Sequence, residues 1–285
     1  MGFARAASQK LFLNRILVDQ EELTADNTVV LHNDDYRFGH IRKILKLARG
    51  DSVKLGVVNV GKTDGTVVSV SNEEVVVSLG LPSALDTSSH TRDLACLVDL
   101  VLAVPRPLRL ERLLPVVSCV GVGQLVLLGA AKVEKDYFGS HLFRRPEEVR
   151  KGLVEGLSQA AVDVELPPVV VCKRLATFFA SELDARFPRE LYKRVIAHPP
   201  SAGNGAPEQR LTTLPRDEEF PSQQRIVVAV GPEGGWEDHE VAQFVAAGFA
   251  SVSLGPRILR TDMAVPVLLG LAHEWAELQR RGTSR

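Results

Sequence analysis

Cysteine is scarce in this chain, with three in 285 residues, at Cys96, Cys119 and Cys172. They lie far apart, with no Cys-x-x-Cys pair and no histidine cluster beside them, which excludes a disulfide framework or a zinc site built on that spacing. Buried thiols in a reducing compartment are the expectation. No apolar run approaches the roughly 20 residues that a membrane-spanning helix needs. An excess of either charge is missing too. With 34 Lys and Arg against 35 Asp and Glu, the net charge is −1 and the pI near 6.7, so any contact with nucleic acid must come from local patches. Nor is there a glycine-rich dinucleotide fingerprint, a Walker loop, a zincin helix or a Gly-x-Ser-x-Gly elbow. Hydride transfer, nucleotide hydrolysis and triad hydrolysis therefore lose support.

What the chain does have is apolar mass, 45% of its residues, enough for the cores of two domains. The segment before Asp19 carries Arg5, Lys10 and Arg15 and no acidic residue. A plain tail leading into the first strand is favoured over an organellar transit peptide, so the expected location is the cytoplasm, with mitochondrion or plastid as the weaker alternative. From Leu11 to about Leu81, short β-rich runs at Asn27–Leu31, Ser52–Val58, Gly65–Val70 and Glu74–Leu79 alternate with Gly, Asp and Asn turns, the pattern of a small barrel. One helix, Tyr36–Ala48, interrupts them, with Ile41, Ile44, Leu45 and Ala48 on an apolar face and Arg37, His40, Arg42, Lys43 and Lys46 largely elsewhere. Such a face is either merely solvated or a phosphate contact.

Pro82–Arg92 is rich in Ser and Thr and without periodicity, the expected linker between domains at residues 1–82 and 93–285. Beyond it, Leu94–Val104 and Gln124–Ala130 read as strands around a helix at Leu108–Val120. Val169–Cys172 and Arg194–Ala197 read as further strands with a helix at Leu175–Arg186 between them. That β-α-β rhythm predicts an α/β fold with a parallel sheet. Ser201–Gln224, polar and with three prolines, is expected to be a mobile insertion.

The most informative stretch is Gly231–Ala264. An apolar strand, Arg225–Val230, runs into Gly231-Pro232-Glu233-Gly234-Gly235, and a short strand at Ala250–Leu254 runs into the loop from Gly255 to Asp262. A helix follows each loop, the first ending at Gly248 and the second spanning about Met263–Leu278. Ligands of open α/β sheets collect beyond the carboxyl ends of the strands. Two neighbouring loops there offer backbone amides and carbonyls that can clamp an adenine and a ribose. A glycine-proline turn after a strand is ordinarily only a turn. The pair says more, because the second loop sets Arg257, Arg260 and Thr261 where a simple turn needs none.

GPEGGW from Gly231 followed by SLGPRILRTDMA from Ser253 closely resembles the paired signature of the RsmE family, the ribosomal small-subunit uridine-N3 methyltransferases of the SPOUT superfamily. The resemblance implies a deep carboxyl-terminal trefoil knot, which chain-topology rules alone argue against. It also implies S-adenosylmethionine (SAM) as methyl donor, ribosomal RNA of the small subunit as partner, a PUA-like amino-terminal domain and a homodimer, with neither metal nor membrane. The implied SAM site takes Ala197 and His198, which stand where the family has a leucine-histidine-proline loop, together with Gly231, Glu233, Gly235, Leu254, Gly255, Ile258, Leu259 and Ala264. Catalysis would fall to Arg260, stabilising charge on the uracil or anchoring its phosphate. Thr261 would bond substrate or cap the last helix, and Asp262 would assist proton removal or serve as a helix-terminal charge. RNA contact would fall to Arg15, His40, Arg42, Lys43 and Lys46.

The chain departs from the family pattern at Val116 and Cys119, where a lysine and a glutamate are usual, and at Val162, where an arginine is usual. Two other readings stand beside the first: a noncatalytic RNA-binding or ribosome-assembly protein of the same fold, and a SPOUT methyltransferase with a different RNA target.

Overall fold

The computed structural model describes residues 15–79, 96–199, 209–215 and 225–282. The expected linker and the first fourteen residues lie outside these. The chain divides into two compact units, one of Met1–His90 with Leu157–Glu165 and the other of Thr91–Gly156 with Leu166–Arg285.

The first unit is a five-stranded sheet of β1 (Ile16–Val18), β2 (Thr28–His32), β3 (Ser52–Val57), β4 (Gly61–Val70) and β5 (Glu74–Ser78), in the order β1-β3-β4-β5-β2. Only the β1–β3 pair is parallel. Alternation sends Val29, Leu31, Leu55, Val67, Val75 and Val77 into one apolar core. The helix expected over Tyr36–Ala48 is shorter. It runs as α1 (Tyr36–Gly39), widens into a π-helical stretch at His40–Leu45, and stops at Lys46, whose φ of 54° is left-handed. Asp51 explains the stop, since its carboxylate accepts the Ala48 amide at 2.7 Å and turns the chain toward β3.

The second unit holds a six-stranded parallel sheet. Its strands are β6 (Val98–Ala103), β7 (Val122–Leu128), β8 (Val169–Cys172), β9 (Tyr192–Ala197), β10 (Arg225–Val230) and β11 (Ala250–Val252), in the order β11-β9-β10-β6-β7-β8. The expected α/β fold with a parallel sheet is therefore present. Central strands covered on both faces read as continuous apolar runs, and Val227, Val228 and Ala229 of β10 and Leu100, Val101 and Leu102 of β6 are fully buried. The principal helices are α2 (Pro107–Val120), α3 (Pro146–Ala160), α4 (Asp238–Ala246) and α5 (Thr261–Gly282). Between β8 and β9 the chain is helical over Leu175–Arg186, with a π-helical middle at Phe178–Glu182. Against α2, Gly156 leaves no room for a side chain, because a Cβ there would sit 2.0 Å from the Pro115 carbonyl oxygen.

The segment expected to be a mobile insertion is pinned in its middle. Leu211 and Leu214 of residues 209–215 are buried, the Trp275 indole donates to the Leu214 carbonyl at 2.9 Å, and Ser253 N donates to Gln209 O at 3.0 Å. The remainder of that insertion lies outside the described residues.

A buried ion pair locks the amino ends of the central strands. Asp99 of β6, fully buried, meets Arg225 of β10 at 3.2 Å, and the same guanidinium lies 5.3 Å from the Tyr192 ring centroid of β9. Burial pushes the Asp99 carboxyl above its ordinary value, with Arg225 and Tyr192 pulling the other way. A raised carboxyl pKa in the fold gives a contribution to stability that is full below the unfolded value and lost as pH rises through the folded one. Arg225→Met should therefore destabilise the second unit by about 3–5 kcal/mol, the cost of leaving a buried charge unpaired. The loss should deepen from acidic to neutral pH, and urea denaturation followed at both ends of that range measures it.

Candidate SAM cleft

The loops after β9, β10 and β11 converge at the carboxyl ends of their strands. They enclose a cleft of about 370 Å³ that reaches the first turns of α5. The cleft is lined by Ala197 and His198 from the first loop, Gly231, Glu233 and Gly235 from the second, Leu254, Gly255, Ile258 and Leu259 from the third, and Ala264 from α5. Every candidate for the cofactor site thus falls in one place, although the third loop follows the second by a helix and a strand.

Each loop is held from behind. Gly235 and Gly255 take φ values of 70° and 119°, a region that side chains with a Cβ rarely adopt. The Glu233 carboxylate turns away from solvent to accept the Arg106 amide at 3.1 Å and to pair with Arg109 at 3.2 Å, at the start of α2. Acidic groups are favoured at a helix amino end, so Glu233 serves as a strut between the loop and α2. Glu240, almost fully buried on α4, accepts the Glu237 amide at 2.9 Å and the Ala131 amide at 2.7 Å. It was not among the sequence candidates. The Glu-x-x-Glu spacing of Glu237 and Glu240 was the available signal, a capping-box pattern at the start of α4.

Thr261 lines the cleft, is buried, and stands as the first residue of α5. Its hydroxyl donates to the Gly231 carbonyl at 3.4 Å, stitching the third loop to the second. Arg260 and Asp262 do not line the cleft. They form an ion pair at 3.2 Å, with the Arg260 side chain 64% exposed and that of Asp262 20% exposed. An available guanidinium therefore stands at the rim, held by a carboxylate in the first turn of a helix.

Two buried polar atoms in the cleft wall, His198 Nδ1 and Trp236 Nε1, have no hydrogen-bond partner among the described residues. Such atoms are costly unless a ligand or water meets them. Burial also holds the His198 imidazole below its ordinary pKa, with Lys132 adding to the effect and Asp238 opposing it. It is thus kept neutral and able to accept as well as donate. Trp236 belongs to the GPEGGW run but was not singled out as a lining residue; as the one aromatic in that run, it could have been.

The candidate RNA residues all lie in the first unit and are differently placed. The Arg15 guanidinium donates to Leu55 O at 2.7 Å, with longer bonds to the carbonyls of Thr63 and Ala161. His40 is buried, and Arg42 bonds the Asn72 side chain at 3.0 Å and lies over the Phe38 ring. Lys43 and Lys46 are exposed. Arg37, from the same helical run, is absorbed by Glu22, Asp35 and the Leu17 carbonyl.

Comparison with known proteins identifies the family. An RNA methyltransferase domain model matches residues 92–273. The ribosomal RNA small subunit methyltransferase E of Treponema pallidum is 30% identical over 268 residues, 92% of this chain and 93% of the relative. Among solved structures, a probable rRNA-methyltransferase from Porphyromonas gingivalis has a TM-score of 0.64 at 20% identity, covering 92% of this chain and 99% of that one. The ribosomal RNA small subunit methyltransferase E of Neisseria gonorrhoeae, bound to S-adenosyl methionine, has a TM-score of 0.62 at 19% identity, covering 91% and 96%. By the domain match and the near full-length identity, the chain belongs to the RNA methyltransferase family of the ribosomal RNA small subunit methyltransferase E type.

Proposed function

We propose that this chain transfers a methyl group from SAM to N3 of a uridine in small-subunit ribosomal RNA. The observation that carries the reading is the convergence of three strand-end loops on one cleft, walled by Trp236, Leu254, Ile258, Leu259 and Leu268 and carrying two unpartnered buried polar atoms. Those features fit SAM, since apolar walls suit an adenine while His198, Trp236 and loop backbone groups supply a few polar contacts. When bound, SAM supplies an already activated sulfonium methyl, so the protein's work is alignment and exclusion of water.

Within this reading the glycine loops bring backbone close to the cofactor, and Thr261 keeps the second and third loops in register through Gly231. Arg260 reaches past the rim to the uracil or its phosphate and stabilises the negative charge left when N3 loses its proton. Asp262 holds that guanidinium in place. In the first unit, exposed Lys43 and Lys46 supply phosphate contacts, whereas Arg15 shapes the sheet by bonding carbonyls.

The same reading takes the first unit as a PUA-like RNA-binding barrel and the segment through α5 as a trefoil knot. It assembles two chains through the exposed Met263, Val267 and Leu278 of α5. A cytoplasmic protein is consistent with it; among the described residues no helix is long and apolar enough to cross a membrane.

Labelled methyl transfer from SAM to naked small-subunit RNA and to assembled particles, with mass mapping of the product, should yield N3-methyluridine; SAM binding without incorporation into either would refute the proposal. Arg260→Ala should lower turnover by about 10²–10³-fold, the range for removing one charge-stabilising donor, while the Kd for SAM stays within twofold. Gly255→Ala should abolish SAM binding by forcing a Cβ into the left-handed region, 2.9 Å from the Arg210 guanidinium. Gly234→Ala meets only the flexible Lys132 stem and should leave calorimetric SAM affinity intact.

A further inference from the structure

A second concavity opens on the same side of the sheet, at the carboxyl ends of β7 and β8. It has a volume of about 760 Å³ and is lined by Lys135, Phe138, Lys173 and His239, with the buried carboxylate of Glu240 at its inner wall. None of its lining residues lines the SAM cleft, and the mechanism above uses none of its basic or aromatic side chains.

Its chemistry is mixed in a particular way. Phe138 is half-buried and braced by Phe143, with ring centroids 5.2 Å apart, so it presents a fixed aromatic surface. Lys173 Nζ lies 6.0 Å from that ring's centroid. Lys135, Lys173 and His239 are exposed, and among the described residues neither lysine has a carboxylate within salt-bridge distance. Glu240 does not neutralise them by pairing, because its two oxygens already accept the Ala131 and Glu237 amides. The floor is backbone at close quarters: Gly129 N donates to Cys172 O at 2.8 Å, and a Cβ on Gly129 would sit 2.2 Å from Lys173 O. Glycine at 129 is thus what lets the ends of β7 and β8 meet backbone to backbone along this wall.

A rigid aromatic surface beside unpaired cations in a pocket of this size is the arrangement that takes a nucleotide, its base on the ring and its phosphate on the ammonium groups. A purely apolar ligand would leave the lysines unused, and a free anion would leave Phe138 unused. We infer that this pocket binds one unpaired nucleotide of the substrate RNA, adjacent to the residue presented to the SAM cleft. The inference rests on the proposed function for the identity of the strand. It places RNA contact on the methyltransferase unit itself, with Phe138, Lys135 and Lys173 as the contacting side chains.

Equilibrium binding of a fluorescent single-stranded fragment of small-subunit ribosomal RNA to the full chain with SAM tests it. Lys135→Gln with Lys173→Gln should weaken RNA binding about tenfold and lower the slope of log K against log salt by roughly 0.7, the value for one phosphate of a single strand. Phe138→Leu, which retains packing against Phe143, should weaken binding by about 5–150-fold, the range for losing one stacked base, with the salt slope unchanged. SAM affinity should hold within twofold in every variant. RNA affinity and salt slope unchanged in both the lysine pair and Phe138→Leu would overturn the pocket. Methyl incorporation by the unaltered chain is read separately. RNA binding that depends on these residues without any incorporation refutes the proposed activity and sustains the pocket; incorporation with wild-type KM in all variants sustains the activity and refutes the pocket.

Discussion

A strand buried on both faces and hydrogen-bonded along both edges offers solvent nothing until it ends, and β10 is such a strand, paired with β6 and β9. All of its polarity is concentrated at its two ends. At the carboxyl end the backbone emerges as Gly231, and several contacts that shape the candidate cleft fall on it or on the loop it opens. Thr261 bonds the Gly231 carbonyl, Glu233 braces the loop against α2, and Trp236 packs so closely on Gly231 that a Cβ would meet its indole at 3.2 Å. The site is a consequence of where a fully buried strand is obliged to stop.

The charged side chains of the molecule divide by occupation. Arg15, Arg37, Arg194 and Arg225 are spent on carbonyls and carboxylates of the fold: Arg194, for example, bonds the Phe187 and Ala247 carbonyls and Asp184. Glu233 and Glu240 are spent on amides. Other cations stand exposed, among them Lys43 and Lys46 in the first unit, Arg257 and Arg260 in the loop after β11, and Lys135 and Lys173 in the second pocket. A near-neutral chain can thus offer RNA discrete cationic points without a basic field.

How much of this could be read from the chain alone follows from the same physics. Continuous apolar runs bounded by glycine locate strands of a covered parallel sheet well, so Val169–Cys172 and Arg225–Val230 have the bounds expected of them. The paired loops were legible because glycine and proline there answer local backbone needs, while the arginines beside them answer none. Less legible were features decided by distant partners. The stop at Lys46 depends on the Asp51 carboxylate, the tethering of Arg15 on the carbonyl of Leu55, and the pinning of residues 209–215 on Trp275. Periodicity carries no record of such contacts, and a basic residue reads the same whether it will face water or a carbonyl. Helix α3 was not among the expected elements, and the fit of its Gly156 against the Pro115 carbonyl of α2 is again a contact with a distant partner.

The Asp99–Arg225–Tyr192 cluster and the SAM cleft occupy opposite ends of the same strands. Six residues of extended chain separate them, about 20 Å at 3.3 Å per residue, a distance at which two unit charges interact by less than about 1 kcal/mol at an effective dielectric near 20. The sheet therefore acts as an electrical spacer as well as a scaffold. Loops at one end can gain or lose charge as RNA targets change, while the ion pair that registers the strands at the other end feels almost none of it.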